Sequence, residues 1–162
     1  MKCLTIHQPW ASLIACGAKK YETRGWATSY RGPIAIHAGK KPVLPWFRRE
    51  VEEKTRLAII GALAPHRLSV LTQLPRGVVI ATAELVACHR MLGRFSDGKT
   101  CIHISPFEAN MQEVVITGDE LLFGDWQPGR FAWELANVQM LAEPIPARGQ
   151  HGLFNWDERG LL

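Results

Sequence analysis

The sequence has no long apolar run, no internal repeat and no closely spaced pair of cysteines. Its most apolar stretch, RLAIIGALAPHRL, is interrupted by Gly61 and Pro65 and is shorter than the ~20 residues that a membrane-spanning helix needs. The first residues, MKCLTIHQPW, lack the apolar segment of a secretory signal. These absences predict a protein of the cytoplasm with no membrane role.

The cysteines also give little support for a metal site. Cys88, His89, Cys101 and His103 are residue types that zinc accepts. However, an adjacent Cys-His pair rarely brings both side chains to one metal, and the spacing is not that of a zinc finger. We therefore expect ordinary buried thiols, no bound metal and no cofactor.

The chain is long enough to fold without such help. It has 162 residues, of which 47% are hydrophobic. A chain of this length buries about two thirds of its unfolded surface. The composition therefore predicts a single domain spanning residues 1–162.

Charge is distributed unevenly along the sequence. The net charge is +4 overall, but residues 1–56 contain eleven basic and four acidic residues, which gives +7 for this third and −3 for the rest. A basic N-terminal third suits a phosphate-bearing partner, although a solvated surface of uneven charge is the plainer interpretation.

The first elements are readable from local patterns. KCLTI is typical of a short buried strand, and HQPWASLIACG places Pro9 near a helix start and Gly17 at its C-terminal cap. The following YETRGW is too short for another helix and favours a strand on which Glu22 and Arg24 point the same way.

The remaining patterns predict an α+β fold. RGPIAIHAGK, GVVIATAELVACHRM, EVVITG and RFAWELANVQML favour strands, and PWFRREVEEKTRLAII favours one helix. The tail from Ala142 is predicted to be irregular because Pro144 and Pro146 prevent a continuous strand, while its aromatic residues should pack on the body.

The segment just after the predicted first helix has the strongest pattern of candidate functional side chains. Gly17, Lys19, Glu22 and Arg24 form the pattern G-x-K-x-x-E-x-R. A lysine beside a carboxylate and a guanidinium can hold a phosphate by charge and a base edge by fork geometry. If a ligand completes the site, the three charges should be partly unpaired without it, whereas the alternative is a surface ion-pair set worth ~0–1 kcal/mol per pair.

This pattern and its context resemble the ASCH domain family of the PUA-like superfamily. The segment LTIHQPWASLIACGAKKYETRGW is similar to the family's opening, and GRFAWELANVQMLAEPIPARGQHGLFNW is similar to its closing strand. The resemblance implies a PUA-like small β-barrel with flanking helices, and a cleft where the signature residues face RNA or a modified nucleoside or nucleotide. The poorly matched region around 42–74 is interpreted as a helical insertion.

The resemblance also raises two enzymatic alternatives. One branch of similar fold removes an acyl group from modified cytidine with the signature lysine and a threonine, but Glu22 stands at the threonine position here, so the nucleophile is missing. Another branch is reported as ribonuclease, which needs an acid and a base near a ribose hydroxyl. Lys19 and Glu22 are the candidate catalytic residues, and His7 and His37 are candidate site residues by type.

Two further residues are candidate ligand contacts. Glu84 is a carboxylate within an apolar strand, and it either points inward toward Lys19 or Arg24 or faces solvent. Trp26 stands beside the signature and could stack on a base, whereas Trp10 and Trp133 have periodic apolar contexts typical of core.

Three hypotheses follow from the sequence. The first is a protein that binds RNA or a nucleotide through Lys19, Glu22 and Arg24. The second is a hydrolase that acts on an acylated nucleoside, or a ribonuclease. The third is a protein-interaction domain with no affinity for nucleic acid.

Overall fold

The computed structural model describes residues 1–44, 46–94, 100–104 and 113–157. Within these ranges the chain forms eight strands and three α-helices. The strands are β1 (Lys2–Ile6), β2 (Tyr21–Arg24), β3 (Gly32–Ala38), β4 (Val78–Arg94), β5 (Thr100–Ile104), β6 (Glu113–Ile116), β7 (Phe131–Pro146) and β8 (Leu153–Asn155). The helices are α1 (Trp10–Ala15), α2 (Trp46–Glu50) and α3 (Glu53–Leu63), with short 3₁₀ turns at Ala64–His66, Leu71–Gln73 and Gly118–Leu122.

The chain divides into two compact units. The first comprises Met1–Ala18, Pro33–Ala83 and Asn137–Leu162, and the second comprises Lys19–Gly32 and Glu84–Ala136. The long strands β4 and β7 contribute residues to both units.

The first unit is built on β1. This strand pairs in parallel with β3, so that Thr5 lies opposite His37, and antiparallel with β8. β3 is in turn a neighbour of β4. Helix α1 is one short helix after β1, and it buries Leu13 and Ile14.

The first helix ends where the sequence predicts. The amide of Gly17 donates to the carbonyl of Ile14 at 2.8 Å. Gly17 has a φ of +79°, which residues with a Cβ rarely adopt. The predicted order of strand, short helix and glycine stop is therefore confirmed.

The second unit has strand pairings of its own. β2 pairs antiparallel with β7, which places Glu22 opposite Trp133, and β4 pairs antiparallel with β5, which pairs with β6. The core of this unit contains Met91, Ile116, Trp126 and Ala132.

The mixed sheet with few helices confirms the α+β prediction. Among the described strands the pairings form an open path from β2 at one end to β8 at the other, with β5 and β6 as a branch. No pairing in that part of the chain closes the sheet, so closure into a barrel stays a prediction of the family resemblance.

The helix predicted across residues 45–60 is in fact two helices. Glu52 leaves the helical conformation with a ψ of 149° and stands at the start of α3. The guanidinium of Arg56 donates through Nη1 to the carbonyls of Arg48 and Val51 at 3.0 and 2.9 Å. These bonds satisfy carbonyls at the end of α2, so the chain can break there without leaving them unpaired.

The prediction of an irregular tail was wrong in its first part. β7 continues through Pro144 to Pro146, and β8 follows a few residues later. Proline removes a donor but its fixed φ is compatible with extended backbone, so the strand persists. The expected packing of the tail's aromatic residues is confirmed, because Phe154 and Trp156 are buried in the first unit with Cys3 and Val79.

Candidate functional site

The signature lysine lies inside the second unit. The side chain of Lys19 is 1% exposed, and its ammonium donates to the carbonyls of Tyr21 and, at 2.7 Å, Phe123. Its Nζ also lies 3.7 Å from Glu22 Oε2. An ammonium has three donors. Two of them bond to carbonyl oxygens, and the Glu22 carboxylate lies within ion-pair distance, so Lys19 is buried among oxygen atoms.

Burial and charge act in opposite directions on this lysine. Burial lowers the pKa of the Lys19 ammonium, because it penalises the charged form, and the carboxylates of Glu22 and Glu120 oppose that decrease. The expectation that the signature charges are partly unpaired without a ligand is therefore wrong for Lys19.

Glu22 connects Lys19 to Arg24. Glu22 is buried, and its Oε1 lies 3.1 Å from Arg24 Nε, so the two side chains point the same way as the strand pattern predicts. Arg24 keeps 25% of its side chain exposed. Three charged groups therefore follow one another from the interior to the surface: the buried ammonium of Lys19, the carboxylate of Glu22 and the partly exposed guanidinium of Arg24.

Trp26 lies just beyond the end of β2. Its ring meets the buried ring of Trp133 edge to face, with centroids 4.5 Å apart and an interplanar angle of 88°. The indole N–H of Trp133 donates to the carbonyl of Trp26 at 3.3 Å. Trp26 nevertheless remains 39% exposed, so it is an aromatic surface residue whose ring and backbone are both held.

Glu120 holds the beginning of β2 from the 3₁₀ turn at Gly118–Leu122. Its two carboxylate oxygens accept from the backbone amides of Lys20 and Tyr21 at 2.9 and 3.1 Å. Nothing in the sequence indicated this role, since Glu120 is about one hundred residues from its partners. A lone Glu in a Gly-Asp-Glu turn carries no signal of such a contact.

Sequence reasoning also missed a pair beside Tyr21, made by buried His89 and half-buried Glu134. His89 Nε2 lies 2.7 Å from Glu134 Oε2, and the ring of His89 lies 6.0 Å from that of Tyr21. The hydrogen bond from His89 lowers the pKa of the Glu134 carboxyl. Burial, with the charges of Glu134 and Glu120, raises the pKa of Tyr21 to about 12. Tyr21 is therefore a neutral phenol at ordinary pH.

The remaining predicted site residues lie on other elements of the chain. His7, Gly17 and His37 belong to the first unit. His7 is exposed, whereas His37 is buried between Thr5 Oγ1 and the carbonyl of Ala147, each 3.2 Å from a ring nitrogen. Glu84 belongs to the second unit and is exposed, so its alternative inward orientation is not observed.

The cysteine and histidine candidates for zinc are only partly described. Cys88 is a buried free thiol and His89 bonds to Glu134. Cys101 and His103 are on β5, and their side chains lie outside the described part of the chain. Within that part, no cluster of three His, Cys, Asp or Glu side chains is placed to hold a metal. Nor does any helix in the described ranges have the length and apolar character needed to cross a membrane.

Comparison with known proteins identifies the family. The model of the ASCH domain matches residues 4–145, so the chain belongs to the ASCH domain family.

Two curated relatives are the human and mouse forms of Activating signal cointegrator 1 (Homo sapiens and Mus musculus). Each is 34% identical to this chain over 86 residues, which are 53% of this chain and 14% of the relative. The match therefore covers much less than two thirds of those longer proteins.

Proposed function

We propose that this ASCH domain, with the PUA-like arrangement that its family resemblance implies, binds RNA or a nucleotide through the surface end of its signature. The observation that carries the proposal is the gradient of exposure along the segment from Lys19 to Trp26. Lys19 is 1% exposed, the Arg24 side chain 25% and Trp26 39%. A surface ion-pair set would not bury its lysine, because removing an ammonium from water costs several kcal/mol.

In this proposal Lys19 and Glu22 are positioning residues. Lys19 is buried, donates to two carbonyls and lies within ion-pair distance of Glu22, so it does not face a ligand at the surface. Its effect reaches the surface through Glu22, whose Oε1 forms an ion pair with Arg24 Nε at 3.1 Å. A guanidinium that is already oriented by a carboxylate loses less freedom when it binds a phosphate or a base edge.

Arg24 and Trp26 are the ligand-facing residues. The planar guanidinium of Arg24 suits a phosphate or the acceptor edge of a base. The ring of Trp26 is held by Trp133, so it provides a preformed surface for an unpaired base. Stacking of a base on such a ring contributes ~1–3 kcal/mol.

The wider charge distribution supports the same class of ligand. The +7 of residues 1–56 favours a phosphate backbone over a neutral partner. The hydrolase alternatives receive less support, because Lys19 is enclosed and Glu22 stands where the related acyl hydrolases have a threonine. The relatives called Activating signal cointegrator 1 are matched over too small a part for their role to be transferred.

The test is binding of labelled single-stranded RNA and of mononucleotides, measured by fluorescence anisotropy and calorimetry. We expect Trp26→Ala and Arg24→Gln each to weaken binding by ~1.5–3 kcal/mol, the range for charge-assisted hydrogen bonds and base stacking. Trp46→Ala and Arg49→Gln are matched controls, because Trp46 is a half-buried indole and Arg49 an exposed guanidinium outside the signature.

Two results would contradict the proposal. Equal losses of binding affinity in the signature variants and in their controls would mean that binding depends on charge or hydrophobicity in general. An absence of binding to any RNA or nucleotide would favour the protein-interaction alternative.

A further inference from the structure

A concave apolar pocket lies in the first unit, far along the sequence from the signature. It is bordered by α2, α3 and the 3₁₀ turn Leu71–Gln73, and its volume is about 350 Å³. Its apolar walls include Phe47, Leu57, Ile60 and Leu71. This volume is at the lower end of the range of small-molecule sites, which are mostly apolar with a few polar groups.

Helix α3 has two apolar faces, and only one of them is covered. Thr55, Ile59 and Leu63 are buried and recur at the spacing of one helix face. Leu57 and Ile60 are turned away from that face, toward the pocket, and are 64% and 38% exposed. At 100° per residue the centres of the two sets are separated by about 130° around the helix. The second face is therefore an apolar surface that the protein's own core does not use.

Three charged residues also line the pocket. They are Arg48, Arg56 and Glu53, which together contribute a net charge of +1. Arg56 is held in place by its bonds to the carbonyls of Arg48 and Val51. The neighbouring Arg49 instead pairs with Glu50 at 2.8 Å and is not in the lining. The pocket thus combines aliphatic walls with a small excess of positive charge, part of it in a fixed position.

We propose that this pocket binds a small amphipathic monoanion, a molecule with a compact aliphatic body and one carboxylate. The aliphatic body covers Leu57, Ile60 and Leu71, and the carboxylate accepts from the guanidinium groups of Arg48 and Arg56. A single negative charge matches the net +1 of the lining, and the volume matches a small ligand. The pocket and the proposed nucleic-acid site use different residues, so either proposal can fail without the other.

The experiment uses the whole chain and octanoate as the probe. Backbone amide shifts are followed by ¹H–¹⁵N NMR while octanoate is added. We expect saturable shifts at α2, at α3 and at Leu71 and Thr72. The series from hexanoate to decanoate should bind up to about four-fold more tightly for each methylene buried. Uncharged 1-octanol should bind at least about ten-fold more weakly than octanoate, since it lacks the charge-assisted bonds.

Two variants test the two halves of the pocket. Leu57→Gln removes exposed apolar surface and should weaken octanoate binding by about ten-fold, whereas Met140→Gln makes the same kind of change at an exposed site outside the lining. Arg48→Gln should reduce the preference for octanoate over 1-octanol, whereas Arg49→Gln should leave it unchanged. All four residues are exposed, so each variant is expected to fold.

Several outcomes would overturn the proposal. These are the absence of saturable shifts at the pocket, equal affinity for octanoate and 1-octanol, and equal effects of a variant and its control. Shifts of the same amides that depend on protein concentration alone would show that a second copy of the chain fills the pocket, and would also overturn it.

Discussion

The ammonium of Lys19 donates to the carbonyl of Phe123 at 2.7 Å, across 104 positions of sequence. The bond joins the beginning of β2 to the residue just after the 3₁₀ turn at Gly118–Leu122. The lysine of the signature is thereby used within the protein. Its role in binding is indirect, through the carboxylate that it holds.

Lys19→Met should destabilise the protein strongly. Methionine keeps much of the side-chain length but leaves two carbonyls and Glu22 without their cation, and breaking a buried pair in this way costs ~3–5 kcal/mol. The measurement is the free energy of unfolding in urea. Lys20→Met is the control, since Lys20 is exposed and surface changes of this kind stay within about 0.5 kcal/mol. Equal stability of the two variants would mean that the buried bonds of Lys19 contribute nothing.

His37 should make stability depend on pH. Burial lowers its pKa from the ordinary value of 6.5, so the unfolded chain takes up a proton before the folded chain does. Stability is then greatest above pH 6.5 and is lost as the pH falls toward the folded-state pKa, by at most about 1.4 kcal/mol per pH unit. Unfolding measured between neutral and mildly acidic pH should show this slope. His37→Gln should remove it, and His66→Gln, at an exposed position, should retain it.

Two glycine-to-alanine substitutions should change the stability of the protein in opposite directions. At Gly149 a Cβ would lie 2.5 Å from His37 Cε1 and 2.9 Å from Thr5 Oγ1, so Gly149→Ala should cost ~1–3 kcal/mol through overpacking. At Gly61, inside α3, a Cβ meets nothing within 4 Å. Gly61→Ala should therefore stabilise by ~0.4–1 kcal/mol, because alanine restricts the unfolded chain and favours the helix. Differences in melting temperature that share a sign would contradict this account of the packing.

RNA affinity, if the proposed function holds, should fall steeply with salt. Each phosphate neutralised on a single strand contributes about −0.7 to the slope of log affinity against log salt. Arg24→Gln should make the slope less steep by about one such increment, whereas Trp26→Ala should lower affinity without changing it. An affinity that does not depend on salt would remove the electrostatic part of the proposal.

The sequence predicted local elements well where one short segment determines the outcome. Three features depend only on residues near them in the sequence. They are the strand before α1, the glycine at the end of α1, and the common direction of the Glu22 and Arg24 side chains. The burial of Lys19 was not predictable in the same way, because one of its acceptors is the backbone carbonyl of Phe123, 104 positions away. The contacts of Glu120 and of the pair His89 and Glu134 were missed because their partners are also distant in the sequence.

The errors in the fold also have physical causes. A continuous pattern of charged and apolar residues predicted one helix where there are two, because the break depends on Arg56 reaching back to carbonyls of the preceding turns. Pro144 predicted the end of a strand, but β7 tolerates the missing donor. A periodic sequence pattern predicts which residues face inward. It does not predict which backbone groups form hydrogen bonds outside their own helix or strand.

The perpendicular packing of Trp26 against Trp133 gives the protein an intrinsic reporter of its proposed site. At a centroid separation of 4.5 Å, protons at the edge of one indole lie in the ring current of the other and should resonate upfield. A base that stacks on Trp26 adds a second ring current, and a ligand that reorients Trp26 removes the first. Occupancy can therefore be followed in the unlabelled protein from a few aromatic resonances.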